Sequence, residues 1–211
     1  MYRVYLAGPE VFTRNPLELA EAKKTICKRY GFEGVFPLDN ELNFNGLSKY
    51  EIGLKISQAN EQLMQDCDLV IANMTPFRGP NTDSGTAFEL GYMRALGKPV
   101  LAYANIYEAA TGLDTSKHMN RVRTYYADKV PGRKAELMLR KESDTVEDSR
   151  YNMAVEDFDM VDNLMLDGAV YFSGHEVVVN PVPEEERYNN MAGFERCVMI
   201  AQKMMAAPTA E

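Results

Sequence analysis

The chain has 211 residues, 45% of them hydrophobic and 26% charged, a composition that fits one globular domain and excludes a disordered or fibrous protein. Its formal charge of −8 argues against a nucleic-acid binder and for small-molecule chemistry. Cys27, Cys67 and Cys197 lie far apart without CxxC or CxH spacing, and no leader-like or eighteen-residue apolar run occurs, so the expectation is a cytoplasmic chain without disulfides, structural metal or membrane contact.

Tyr2 to Ala7 is a short apolar run of β-formers that stops at Gly8-Pro9, as a buried strand does on meeting a turn. Pro16 to Tyr30 reads as a helix, and "GFEGVFP" from Gly31 to Pro37 as a second strand. Lys49 to Gln65 places Ile52, Ile56, Ala59 and Leu63 at helical spacing, and Leu69 to Ala72 is a third strand. A helix over about Ser84 to Leu96 ends at Gly97, which suits a left-handed cap, and Pro99 to Tyr103 is a fourth strand. Residues 105–157 form a charged stretch, basic first and then acidic, expected as an insertion or lid within a single domain spanning 1–211. Beyond it, Val155 to Leu166 regains an apolar face, Ala169 to Phe172 reads as a strand, and Glu184 to Met205 as an amphipathic helix. This alternation predicts an α/β fold: an open, mostly parallel sheet with helices on both faces, a flavodoxin-like or Rossmann-like three-layer arrangement. Ligands of such sheets sit at the carboxyl ends of the strands. The loops to inspect are therefore those after Ala7, Pro37 and Ala72.

These loops read "AGPEVF", "PLDNELNF" and "NMTPFRGPNTDSGTAFE". They contain neither GxGxxG nor GxxxxGK[ST], which disfavours a dinucleotide fold or P-loop. Gly8 either lets a ligand approach the backbone or serves a plain turn. Asp39 and Asn40 either bind a sugar or base or close an Asx turn. Asp83 and Ser84 stand where a helix N-cap belongs. Glu89 is harder to assign to structure, because a carboxylate beside Phe88 and Tyr92 on a sheet-packed helix is poorly solvated. Tyr5, near the carboxyl end of the first strand, is a candidate donor to it. Asp83, about a turn and a half upstream, is a candidate proton donor. Two carboxylates at a strand edge, one ionised and one protonated, are the minimum for displacement at an anomeric carbon with retention. His118 and His175 belong to no motif and read as surface residues.

"YLAGPEVF", "PLDNE", "DCDLVIANMTPFRGPNTDSGTAFELGY" and "DNLML" resemble the nucleoside 2-deoxyribosyltransferases over roughly the first hundred residues and again near Asn163. The resemblance implies that Glu89 is the nucleophile, that Tyr5 hydrogen-bonds it, and that Asp83 contacts the nucleobase and helps protonate it. It implies that Asn163-Leu164-Met165 reaches the deoxyribose of a neighbouring subunit's site, hence a homo-oligomer. Asn60 stands where broad-specificity members carry an aspartate, and segment 113–157 is longer than the family leads one to expect. Gly8, Phe12, Phe77 and Met165 are expected to line a dry site, with Asp39 and Asn60 toward the substrate. The expected activity is ping-pong transfer of 2-deoxyribose between free nucleobases, without metal or cofactor. The alternatives are an N-glycosidase that uses water and a non-catalytic nucleotide-sensing module.

Overall fold

A computed structural model describes residues 1–107, 113–129, 146–148 and 153–206. Five parallel strands, β1 (Tyr2–Ala7), β2 (Phe32–Val35), β3 (Leu69–Asn73), β4 (Val100–Ile106) and β7 (Val178–Pro181), form one sheet in the order β2-β1-β3-β4-β7. A short antiparallel pair, β5 (Val146–Asp148) and β6 (Met153–Val155), stands apart from it. Among the described residues the α-helices are α1 (Pro16–Arg29), α2 (Lys49–Asp66), α3 (Ser84–Ala95), α4 (His118–Lys129), α5 (Leu164–Tyr171) and α6 (Ala192–Ala206).

Strand alternation decides which side chains meet which helices. Val4 and Leu6 of β1 point with Leu69, Ile71, Leu101 and Tyr103 toward α1 and α6, where Ala20, Cys27, Phe194 and Val198 complete one core. Tyr5 and Ala7 point the other way with Val70, Ala72, Ala102 and Ala104, toward Met64 of α2, Leu90 and Met93 of α3, and Val170 of α5. Every residue of β3 and β4 is buried, the pattern of parallel strands covered on both faces. The strand order reverses between β1 and β3. The crevice of a doubly wound sheet opens at that switch point, between the loops that follow Ala7 and Asn73.

Two expectations are corrected. Ala169 to Phe172 is not a strand: Asn163 caps a helix there by accepting from the Met165 N–H at 3.0 Å, and Leu164, Met165, Leu166 and Ala169 are good helix formers. The fifth sheet strand is Val178–Pro181 instead, pairing with Tyr103–Ile106. The last helix starts at Ala192 rather than Glu184, because Pro181 and Pro183 hold the chain extended and the Asn190 side chain accepts from the Ala192 N–H at 3.0 Å. The helical spacing over Lys49 to Gln65 is that of α2, in which Met64 is fully buried, Leu63 packs against the same core, and Tyr50, Leu54 and Ile56 are exposed. Of the expected insertion 105–157, residues 108–112, 130–145 and 149–152 lie outside the described residues. Gly97 takes the expected left-handed conformation, with φ 71°.

Candidate active site

The site begins with the register of β1. Tyr5, buried on the α3 side of the sheet, donates its hydroxyl to Glu89 Oε1 at 2.7 Å. Glu89 lies one and a half turns into α3, between exposed Phe88 and buried Leu90, and is itself partly exposed. A carboxylate so placed is reachable but poorly hydrated. Desolvation pushes its pKa up to about 7; the Tyr5 hydrogen bond pulls it down, while the charges of Asp83 and Glu10 push it further up. The Tyr5 hydroxyl itself is driven well above its ordinary range by burial and by the facing carboxylate, so it serves as a fixed donor.

Asp83 is the N-cap of α3. Its Oδ2 accepts from the Thr86 N–H at 3.0 Å and from Thr86 Oγ1 at 3.2 Å. Both bonds fall on one oxygen, so the cap role leaves Oδ1 outside it. The preceding loop is fixed by a residue that the sequence reading missed. Asp162, 1% exposed, accepts from the Thr82 N–H and Oγ1, both at 2.8 Å, and its other oxygen accepts from the Asn163 N–H at 2.8 Å. One buried carboxylate thus ties the Asp83 loop to the turn carrying Asn163. Arg121 of α4 braces the same junction by donating to the carbonyls of Pro80, Thr115, Ser116 and Val161. The one available signal was an aspartate between Val161 and a helix N-cap.

Phe12 and Phe77 are stacked at 5.3 Å between centroids, with Tyr188 edge-on to Phe77 at 6.3 Å and the Arg78 guanidinium over both phenylalanine rings. Gly8 is required by the chain's own packing. A Cβ there would lie 2.0 Å from Glu10 Oε2 and 2.9 Å from Asn73 Cβ. The close approach is made by the chain's own Glu10. That residue and Lys23 are both fully buried and ion-paired, and Glu10 Oε1 also accepts from Asn73 Nδ2 at 2.8 Å and Tyr103 Oη at 3.1 Å.

Asp39 is engaged in its turn: Oδ2 accepts from the Phe36 N–H at 2.8 Å and Oδ1 from Lys24 Nζ at 2.6 Å. Neither bond is an Asx turn: one oxygen takes a backbone N–H three residues earlier and the other an ion pair with Lys24. Asn60 on α2 has a buried Oδ1 with no hydrogen-bond partner among the described residues. Asn163 directs its side chain to the Met165 N–H and Glu156, and Met165 is 70% exposed. Neither hydrogen-bonds Glu89 of the same chain, whose partner is Tyr5. His118 is not a free surface residue, because its Nε2 lies 3.1 Å from Asn81 Oδ1 on the β3–α3 loop. Among the described residues no group of three His, Cys, Asp or Glu side chains could hold a metal ion.

The architecture and the site define a class: a three-layer α/β protein with a desolvated carboxylate, oriented by a strand tyrosine, at the strand-order switch point. The family described as nucleoside 2-deoxyribosyltransferase matches residues 4–165. The chain belongs to that family, whose chemistry lies at the N-glycosidic bond of nucleosides. It is 34% identical over 179 residues to an uncharacterised protein, C191.05c, of Schizosaccharomyces pombe, covering 84% of this chain and 81% of that one. Its fold is similar to a solved 2-deoxyribosyltransferase of Leishmania mexicana, with a TM-score of 0.56 and 24% identity over 94% of this chain and 98% of the other.

Proposed function

We propose that the protein transfers the 2-deoxyribosyl group between nucleobases by a retaining double displacement through Glu89. The observation that carries this reading is the 2.7 Å Tyr5–Glu89 hydrogen bond on a desolvated carboxylate beside the β1/β3 switch point. In the first step the ionised Glu89 carboxylate attacks C1′. The C1′–N bond breaks, its electron pair leaves with the base, and a proton delivered from the Asp83 side neutralises that base. In the second step the nitrogen of another base attacks C1′ from the opposite face, releases Glu89 and returns a proton. Retention follows from two inversions. The stacked pair of Phe12 and Phe77 offers a face to a planar base, and the unpaired Asn60 Oδ1 can accept from an exocyclic amine.

Water competes at the second step, so the glycosyl-enzyme has to be covered. On this reading a second copy of the chain supplies the cover. The exposed Phe88, Met165, Tyr171 and Phe172 are the apolar surface it would bury, and Asn163 and Met165 of that copy would reach the sugar. We also read the chain as one domain with 105–157 inserted in it, and as a cytoplasmic protein. The three cysteines are unbridged and buried, and burial pushes each thiol up to about 12, so they are inert in a reducing compartment.

The test incubates deoxyinosine with adenine. Native protein is expected to form deoxyadenosine together with hypoxanthine, and Glu89→Ala to form neither. Release of hypoxanthine with free deoxyribose alone, unchanged by excess adenine, would identify a hydrolase and overturn the transfer reading.

A further inference from the structure

A second cavity, of about 350 Å³, lies at the carboxyl ends of β3 and β4, and Glu89, Asp83, Tyr5 and Gly8 do not line it. That volume falls in the range of small-molecule sites. Its walls come from the β3–α3 loop, the end of β4, α4 and the turn before α6. They carry Arg78, Arg121 and Arg187, the rings of Tyr107, Tyr125 and Tyr188, and no acidic residue, on a chain whose net charge is −8.

The local chemistry narrows what this cavity takes. The Arg187 guanidinium lies over the rings of Tyr107 and Tyr188, 4.8 and 5.4 Å from their centroids. Its Nη2 lies 3.4 Å from Glu184 Oε1, while its Nε is buried and has no hydrogen-bond partner among the described residues. Arg78 adopts a left-handed φ of 54°, a conformation that costs a non-glycine residue of order 1 kcal/mol or more and concentrates at ligand sites. Arg121 is already consumed by backbone carbonyls, with Asp162 3.8 Å away, so the available positive charge is that of Arg187 and Arg78. The neutral polar side chains on the wall are engaged too: Asn105 Nδ2 with the carbonyls of Arg187 and Asn190, Thr115 with the Tyr107 carbonyl and Thr124 with the Asn120 carbonyl. What remains for a ligand is aromatic surface and guanidinium charge.

We propose that this cavity is a second binding site, for a nucleoside 5′-monophosphate, with the phosphate on Arg187 and Arg78 and the base against the tyrosine rings. Guanidinium groups match phosphate oxygens in pairs, and stacking accepts any base, so the site selects for the phosphate and is indifferent to the base. Tyr188 of this wall meets Phe77, which lies outside the lining, edge-on at 6.3 Å, and on this proposal the cavity and the Glu89 site can be filled at once. The inference stands apart from the transfer reaction.

Calorimetric titration of the full chain with AMP, CMP, adenosine and inorganic phosphate tests it. The expected result is saturable binding of AMP and CMP with dissociation constants within about threefold of each other, and binding of adenosine or phosphate at least tenfold weaker. Arg187→Met is expected to weaken AMP at least tenfold while changing deoxyinosine–adenine exchange by less than twofold. Thr124→Trp, which fills the cavity from α4, should abolish AMP binding and serves as the independent variant if Arg187→Met does not fold. Equal AMP affinity in native and variant chains, phosphate binding as tight as AMP, or strict competition between AMP and deoxyinosine would each overturn the proposal. Calorimetry reports on this cavity and the exchange assay on Glu89, so one can fail without the other.

Discussion

Replacing Tyr5 with phenylalanine removes one hydroxyl and leaves the buried ring in place. The lost bond is the 2.7 Å donation to Glu89, and a hydrogen bond to a charged group contributes about 1.5–3 kcal/mol. At 1.36 kcal/mol per pKa unit, its loss raises the Glu89 pKa by about 1–2 units from its value of about 7. The nucleophile must be ionised, so the acidic limb of the kcat/KM profile for base exchange moves upward by the same amount. At pH 6, where roughly a tenth of native Glu89 is ionised, Tyr5→Phe should lose about 10- to 100-fold in activity, and most of that loss should return near pH 9.5. The assay is deoxyinosine–adenine exchange followed from pH 5 to 10 for both proteins. A uniform loss at every pH, with the limb unmoved, would refute the idea that Tyr5 tunes Glu89 and leave it a purely geometric role.

Glu89 also links pH to stability. Its folded-state pKa of about 7 exceeds the ordinary 4.5, so the folded chain holds a proton that the unfolded chain releases between those values. Stability from this group is full below about pH 4.5 and lost as pH rises through about 7. Glu89→Gln, which keeps an acceptor for Tyr5, should therefore stabilise the chain by about 3 kcal/mol more at pH 8 than at pH 4.5, and urea unfolding at the two pH values measures the difference. Gly8→Ala places a Cβ against Glu10 Oε2 and Asn73 Cβ, and overpacking of this kind costs about 1–3 kcal/mol, read as a lower denaturation midpoint. Lys23→Met strands the buried Glu10 carboxylate and should cost about 3–5 kcal/mol, whereas adding Glu10→Gln should recover most of that loss. If the double variant is as unstable as the single one, charge pairing is not what holds the loop.

Much of this was legible in local sequence, because the deciding interactions are local or periodic. The two-residue period of β1 puts Tyr5 on the face opposite Val4 and Leu6, and the Asp83 cap depends on a donor three residues away. The partnership of Phe12 and Phe77 was accessible once both loops were assigned to one edge. What stayed hidden depends on long-range pairing. Glu10 reads as a loop carboxylate until Lys23, Asn73 and Tyr103 arrive from three other elements, and Asp162 means little until Thr82 docks on it. Ala169–Phe172 was misassigned because its short apolar run suits either structure and the Asn163 cap decided the outcome. The cavity with Arg187 required β4, α4 and the turn before α6 to converge, and no spacing in the chain announces that.

The central claim is a covalent bond between C1′ and Glu89. A 2′-fluoro-2′-deoxynucleoside tests it most directly, because the fluorine destabilises the oxocarbenium-like transition state and slows departure from the enzyme. Peptide mass spectrometry of protein treated with it should find the fluorodeoxyribosyl adduct on Glu89, and adding adenine should remove the adduct as the fluorinated adenine nucleoside forms. Base exchange proceeding with the ordinary substrate while the adduct is found on another residue would contradict the account.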